Sequence, residues 1–244
     1  MIPKIIHYCW FGGNPLPKDA LACIASWKKF FPDYEIIEWN EQNFDVNKYE
    51  YTKSAYAAKK YAFVSDVARL FVLSQYGGIY FDTDVEVIRP FEAILETGGY
   101  LGIEANGNQF RVNPGLGFAC VKESPVISGI FNVYKNQIFD VTKLKDCNIV
   151  TITTAFLLEK GLQKVNKIQK IDDITVYPQD FFNPCDMSTG KLNLTSNTRS
   201  IHHFSASWVD REKLLRGKIY RFINRHFGNN VATLVRNVFG QRKK

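Results

Sequence analysis

Residues 54–91 read SAYAAKKYAFVSDVARLFVLSQYGGIYFDTDVEVIRPF, and this stretch constrains the chain more than any other. Ala57, Tyr61, Val64, Ala68, Phe71 and Val72 recur at helical spacing, which predicts one helix across the first half. Asp66 and Arg69 lie three residues apart on it and so share a face. Gly77-Gly78 ends the helix, because glycine takes the backbone angles of a sharp turn. Ile79-Tyr80-Phe81 is an all-apolar run, the mark of a strand buried on both faces, and it leads straight into Asp82-Thr83-Asp84.

Two carboxylates one residue apart on a regular strand point to the same side and repel each other unless something neutralises them. A divalent cation does so, and metal–diphosphate sites use one or two carboxylates together with phosphate oxygens. A solvated turn after a strand is the other reading, since an isolated Asp-x-Asp is common. The position favours the cation: open α/β sheets bind ligands at the carboxyl ends of their strands.

The chain has 244 residues, 45% of them hydrophobic, which suffices for one large domain or two small ones. A formal charge of +7 points to an anionic partner without choosing among nucleotide, phospholipid and nucleic acid. Cys9, Cys23, Cys120, Cys147 and Cys185 form an odd, scattered set with no C-x-x-C pair. That argues against a disulfide framework or a structural zinc site and fits a reducing cytoplasm. Neither a signal peptide nor a run of about 18 apolar residues is visible.

Along the chain, 3–11 reads as a buried first strand closed by Gly12-Gly13-Asn14-Pro15. Trp10 at its end is either a core residue or a platform for a base, and His7 reads as a satisfied core histidine. A helix over 17–31 and a strand over 34–39 follow, then a polar loop over 40–51. This β-α-β-α-β order predicts a mostly parallel sheet with covering helices. Further strands are expected at 85–89, 100–104 and 174–177, and helices at 124–136 and 153–160. Residues 106–112 read as loop, 113–120 as a tight turn and strand, and 181–185 as an aromatic loop. The Gly-rich approach at Asn113-Pro114-Gly115 brings backbone close to a sugar, or forms a plain hairpin turn.

From about Leu214 the pattern changes. Ile219, Phe222, Ile223, Phe227, Val231, Leu234, Val235, Val238 and Phe239 recur at threes and fours among Lys218, Arg221, Arg225, Arg236, Arg242, Lys243 and Lys244. Such a basic amphipathic tail lies on a membrane surface or packs on the domain, and Gly228-Asn229-Asn230 divides it into two segments. The expected division is 1–212 for the globular domain and 213–244 for the tail.

Three ordered motifs stand out: Pro3 to Gly13, Ser65-Asp66-Val67-Ala68-Arg69 running through Tyr76 to Asp84, and His202-His203-Phe204-Ser205-Ala206-Ser207-Trp208. Together they resemble glycosyltransferase family 32, the DXD-motif sugar transferases of yeast mannosyltransferase and bacterial capsule type, with the clostridial glucosylating toxins as distant relatives. The resemblance implies an α/β GT-A fold, a nucleotide-sugar donor, a Mn²⁺ or Mg²⁺ ion and retention of anomeric configuration. By position it implies that Trp10, beside Cys9, stacks on the base. Asp66 and Arg69 would hold sugar and diphosphate, and Asp82 and Thr83, with Asn113 and Gly115, would complete the donor contacts. Asp84 would ligate the metal with Asp82 nearby, His203 rather than His202 would close its shell, and Ser207 and Trp208 would close over the diphosphate. Many relatives carry Thr-Gly-Pro where this chain has Thr153-Thr154-Ala155, which puts the acceptor side of the pocket in question.

The residue types agree with that chemistry. A diphosphate leaving group needs charge neutralisation as its bond to the sugar breaks, which a metal and Arg69 supply together. Imidazole with carboxylate suits Mn²⁺, and an all-oxygen set suits Mg²⁺ as well. The expectation is therefore a retaining hexosyltransferase, with a UDP-sugar favoured as donor. The acceptor would be a lipid-linked glycan of bacterial capsule or lipopolysaccharide synthesis, met at the cytoplasmic face of the plasma membrane, where the basic tail binds. A protein-acceptor enzyme of toxin type and a silent nucleotide- or metal-binding module are the alternatives. Nucleic acid is disfavoured, because the basic residues gather at the C-terminus instead of interleaving with exposed aromatics across a sheet.

Overall fold

The computed structural model describes residues 1–106, 109–144, 146–186 and 189–205, with Ile219, Tyr220 and Asn224 beyond them. The strands are β1 (Ile5–Cys9), β2 (Glu35–Trp39), β3 (Gly78–Tyr80), β4 (Val85–Val87), β5 (Gly99–Asn106), β6 (Gln109–Val112), β7 (Phe118–Cys120), β8 (Gln169–Ile171), β9 (Ile174–Tyr177) and β10 (Ser200–His202). The helices are α1 (Lys18–Phe30), α2 (Glu50–Ala57), α3 (Tyr61–Tyr76), α4 (Glu92–Leu95), α5 (Pro125–Lys135), α6 (Ile149–Glu159) and α7 (Gln179–Phe182).

The main sheet runs β2-β1-β3-β7-β5-β9-β8, with β6 on β5, and a second two-stranded sheet joins β4 to β10. Pairing is parallel for β2-β1-β3 and for β5-β9, and antiparallel where β7 inserts between β3 and β5. The sheet is thus mixed, and β1, β3, β5 and β9 all present their carboxyl ends to one edge.

Strand alternation sorts the core into two layers. Cys9, Tyr80, Leu101, Phe118 and Val176 face α2, α3, α5 and α6. Their neighbours Tyr8, Ile79, Tyr100, Ala119 and Tyr177 face α1, α4 and α7. Burial on both faces explains why these strands read as continuous apolar runs.

The helix expected to begin near residue 54 is two helices. α2 ends in a Schellman turn, in which Lys59 N–H bonds Tyr56 O and Lys60 N–H bonds Ala55 O, both at 2.9 Å, with Lys59 at φ 55°. No glycine marks that turn, so composition hides it. At the other end of α3 the glycine pair does what its sequence suggests: Gly77 and Gly78 have φ 67° and 102°. A Cβ on either would lie 2.6 Å from backbone, of Lys122 and Ile5 respectively.

Three further differences matter. Residues 109–112, which read as loop, form β6 in a hairpin with β5. The helix expected from 153 begins at Ile149, capped by the Asn148 side chain on Thr151 N–H at 3.0 Å. Residues 179–182 form α7, whose last two residues the sequence assigns to an aromatic loop. His7 is the satisfied core histidine that the sequence suggests: Trp39 Nε1 donates to its Nδ1 at 3.1 Å, and its Nε2 bonds Gly77 O at 3.0 Å. Among the described residues no helix is long and apolar enough to cross a membrane. Apart from Ile219, Tyr220 and Asn224, the expected basic tail lies outside the described residues.

Candidate functional site

Tyr80 is the last residue of β3 and faces α3, so Asp82, two residues on, leaves the sheet on the same side. There it meets Arg69. The guanidinium Nη1 lies 3.1 Å from Asp82 Oδ1, Nη2 lies 3.3 Å from Asp66 Oδ1, and Nε donates to Ser65 O at 3.1 Å. The Arg69 guanidinium also lies 4.7 Å from the centre of the Tyr80 ring, whose hydroxyl donates to Asp82 Oδ1 at 3.1 Å.

The second oxygen of Asp66 accepts Ile149 N–H at 3.2 Å, at the first turn of α6. Asp66 is therefore held on both oxygens by an ion pair and a helix N-terminus. Burial lifts its pKa to about 6 in spite of Arg69. Burial also works against the charge on Arg69, but Asp82 and Asp66 more than offset it.

Past Asp82 the chain turns, and Asp84 is approached from 121 residues away. Its Oδ2 accepts Ser205 N–H at 2.8 Å and Ser205 Oγ–H at 2.9 Å, while its Oδ1 lies 3.0 Å from His202 Nε2. The β4-β10 ladder, with His202 opposite Val85, sets this approach. β4 is itself pinned to α1, whose Trp27 Nε1 donates to Val85 O at 2.7 Å and whose Ser26 Oγ accepts Val87 N–H at 2.9 Å.

The family resemblance assigns the metal's imidazole to His203. The structure brings His202, not His203, to the diacid: His202, the last residue of β10, is buried, whereas His203, just past the strand, is exposed. His203 instead meets Glu86 at the surface, at 2.9 Å. Asp82, Asp84 and His202 each offer a ligand atom within 4.8 Å of the others.

The donor set fits a divalent cation. The carboxylates of Asp66 and Asp82 share one guanidinium, and Asp82 and Asp84 converge with an imidazole. Burial disfavours the Asp84 carboxylate, but His202 and Ser205 hold its pKa well below the usual range. Burial likewise disfavours the His202 imidazolium, and Asp84, Asp82 and Glu104 outweigh it, so its pKa is raised. Two carboxylates with an imidazole are a ligand set that divalent cations accept.

The other predicted residues are distributed around this centre. Gly115 closes one wall: a Cβ there would lie 2.7 Å from Asp82 Oδ2 and 2.9 Å from Asn113 Oδ1, so only glycine lets the loop come this near. Asn113 Oδ1 accepts Gly115 N–H at 2.7 Å. Thr83 is half-buried in the turn between the aspartates. Cys9 is buried with its thiol against Tyr80, which places it behind the site, and burial pushes its pKa up to about 12. Trp10 is half-buried and donates to Asn14 O at 2.6 Å, on the wall of a cavity of about 460 Å³ that Gly12, Glu38, Asn40, Glu41 and Tyr56 also line. Ser207 and Trp208 lie outside the described residues.

Sequence reasoning missed Tyr80, Ser205 and Glu104 as members of the site. Ser205 stands in the same motif as His202 and Tyr80 beside the diacid, so position was the available signal for both. Glu104 carried no such signal.

Residues 17–99 match a family model described as a glycosyltransferase sugar-binding region containing a DXD motif. Over 98 residues the chain is 35% identical to inositol phosphoceramide mannosyltransferase 3 of Schizosaccharomyces pombe, covering 38% of this chain and 27% of that protein. It is 30% identical over 105 residues to mannosyl phosphorylinositol ceramide synthase CSH1 of Saccharomyces cerevisiae, covering 41% and 28%. The matched region thus spans little more than a quarter of these curated relatives. Among solved structures, the PaToxG glycosyltransferase superposes with a TM-score of 0.50 at 19% identity, covering 65% of this chain and 69% of that one, a likeness of fold.

Proposed function

We propose that this chain, whose residues 17–99 match a glycosyltransferase sugar-binding region and whose fold is of GT-A type, transfers a hexose from a nucleoside-diphosphate donor to a glycan acceptor, with retention of configuration. The observation that carries this reading is the fusion of two clusters through Asp82. Asp66–Arg69–Asp82 and Asp82–Asp84–His202 form one continuous site at the carboxyl edge of the sheet.

Asp84 and His202, with Asp82 beside them, would hold Mn²⁺ or Mg²⁺. Such an ion supplies positive charge to the departing diphosphate. Arg69, fixed between two carboxylates, orients the sugar–diphosphate junction and cannot swing away. Asp66 has both oxygens engaged, so it positions Arg69 and does not attack the sugar. In the transfer the acceptor oxygen bonds to the anomeric carbon as the carbon–diphosphate bond breaks, and the hydroxyl proton leaves with the diphosphate. The cavity beside Trp10 takes the base.

UDP-hexoses are the first donors to test, and the names of the yeast relatives add a mannosyl donor. Those names also specify a lipid-borne acceptor, which supports a lipid-linked glycan here, as in bacterial capsule or lipopolysaccharide synthesis. Placement at the cytoplasmic face of a membrane through residues 213–244 belongs to the same proposal. Deleting 216–244 should then release the protein from anionic liposomes.

The deciding experiment is a panel of UDP- and GDP-hexoses with Mn²⁺, read as donor hydrolysis. The wild type is expected to turn over at least one donor and Asp84→Ala none. An inactive wild type, or an Asp84→Ala variant as active as wild type, overturns the assignment.

A further inference from the structure

Glu104 is the last acidic residue of β5, at the same sheet edge as Asp82, and shares a face of its strand with Tyr100 and Gly102. It is half-buried, and its Oε2 accepts Asn113 Nδ2–H at 2.6 Å. The opposing residue of the hairpin, Arg111, donates to Gln109 and makes no close ion pair with Glu104. No other described residue hydrogen-bonds or ion-pairs with the Glu104 carboxylate.

Asn113 links Glu104 to the diacid. Its Oδ1 is taken by Gly115 N–H, which fixes which end of the carboxamide is which and turns Nδ2 to Glu104. Gly115 in turn stands against Asp82 Oδ2. Glu104, Asn113, Gly115 and Asp82 therefore form one wall, joined to Arg69 through Asp82. Glu104 is not among the three groups close enough to share a cation.

We propose that Glu104 binds the transferred sugar, its carboxylate accepting hydrogen bonds from sugar hydroxyl groups and so helping to select which sugar is moved. This rests on the donor-sugar reading above. A carboxylate only accepts hydrogen bonds, so it repels a diphosphate and suits a neutral polyol. Asn113 Nδ2 has a second hydrogen to offer, so the pair presents an acceptor beside a donor, the complement of two adjacent hydroxyls. A site built to bond a hydroxyl discriminates strongly against a ligand that lacks it, because its own polar group is left unpaired.

The test compares Glu104→Gln and Glu104→Ala with wild type in two titrations with Mn²⁺. One uses UDP and GDP, and the other the UDP- or GDP-hexose that the wild type hydrolyses fastest. Glu104→Gln is isosteric and keeps the acceptor for Asn113, so a melting temperature near that of wild type certifies the fold. Both variants should bind the free nucleoside diphosphate within about twofold of wild type. Each should lose about ten- to hundredfold in affinity for the nucleotide sugar, as expected for a hydrogen bond to a charged group. Equal losses for both ligands, no loss for either, or a loss confined to Glu104→Ala each overturn the proposal, the last by showing a packing role. A wild type that hydrolyses no nucleotide sugar overturns the functional reading itself, whereas an active wild type with unaffected variants removes only Glu104.

Discussion

Asp84 Oδ1 and His202 Nε2 stand 3.0 Å apart although 118 residues separate them in the chain, and this pairing converts a two-aspartate motif into a three-group cluster. The adjacent imidazole, His203, has a carboxylate partner at nearly the same distance, yet at the surface. Burial, not pairing, distinguishes the two histidines.

Substituting them separately should give unlike results. His202→Gln is expected to weaken Mn²⁺ binding and donor hydrolysis by about a hundredfold, since an imidazole ligand is lost from a partly dry site. His203→Gln should change neither by more than about twofold, because His203 is exposed, meets Glu86 at the surface and is not among the three groups that converge at the diacid. Calorimetric Mn²⁺ titration of both variants checks this, and equal losses would sink the assignment.

Arg69→Lys should be far from conservative. Arg69 bonds Asp66, Asp82 and Ser65 through three different nitrogens, a fork that a lysine point charge cannot reproduce. With its buried carboxylates left under-compensated, the protein should lose about 3 kcal/mol of stability. Chemical denaturation measures this, and hydrolysis should fall at least about a hundredfold with it. A variant with wild-type stability would show that the guanidinium fork contributes little.

Gly115→Ala should separate turnover from folding. The new Cβ would sit 2.7 Å from Asp82 Oδ2, so the loop or the carboxylate must shift. Shifts of about 1 Å in a reacting geometry cost about a hundredfold in rate. The expected result is that drop in hydrolysis with a melting temperature within a few degrees of wild type. Unchanged hydrolysis would show that Asp82 tolerates displacement.

His7 makes stability fall in mild acid. Burial lowers its pKa to about 4 from the ordinary 6.5, and Trp39 needs its Nδ1 unprotonated. The unfolded chain therefore binds the proton more tightly. The stabilisation is complete above about pH 6.5 and is lost as pH falls toward 4, at most about 3 kcal/mol in all. Denaturation between pH 4 and 7 should show a steeper fall for wild type than for His7→Gln, and parallel curves would remove this account.

What could be read from the sequence was what local pattern encodes. The apolar period of α3, the glycine pair after it and the unbroken run of β3 are enough to bring Asp66, Arg69, Asp82 and Asp84 to one place. The misses are of another kind. The turn at Lys59 uses left-handed backbone at a residue whose type does not advertise it. The strand β6 is a partly exposed edge strand whose partner, β5, defines it. Whether His202 or His203 stands at the diacid depends on the register of β10 against β4, and Glu104 is tied to the site by its hydrogen bond from Asn113. Each of these is settled by a partner elsewhere in the chain.

The groups around Asp84 come from distant parts of the chain: β4 follows the diacid directly, while His202 and Ser205 arrive 118 and 121 residues later. A ribosome-bound chain thus displays its diacid long before it has an imidazole to set beside it. The cluster is completed only once residues 202–205 have emerged, so a chain ended before them lacks it.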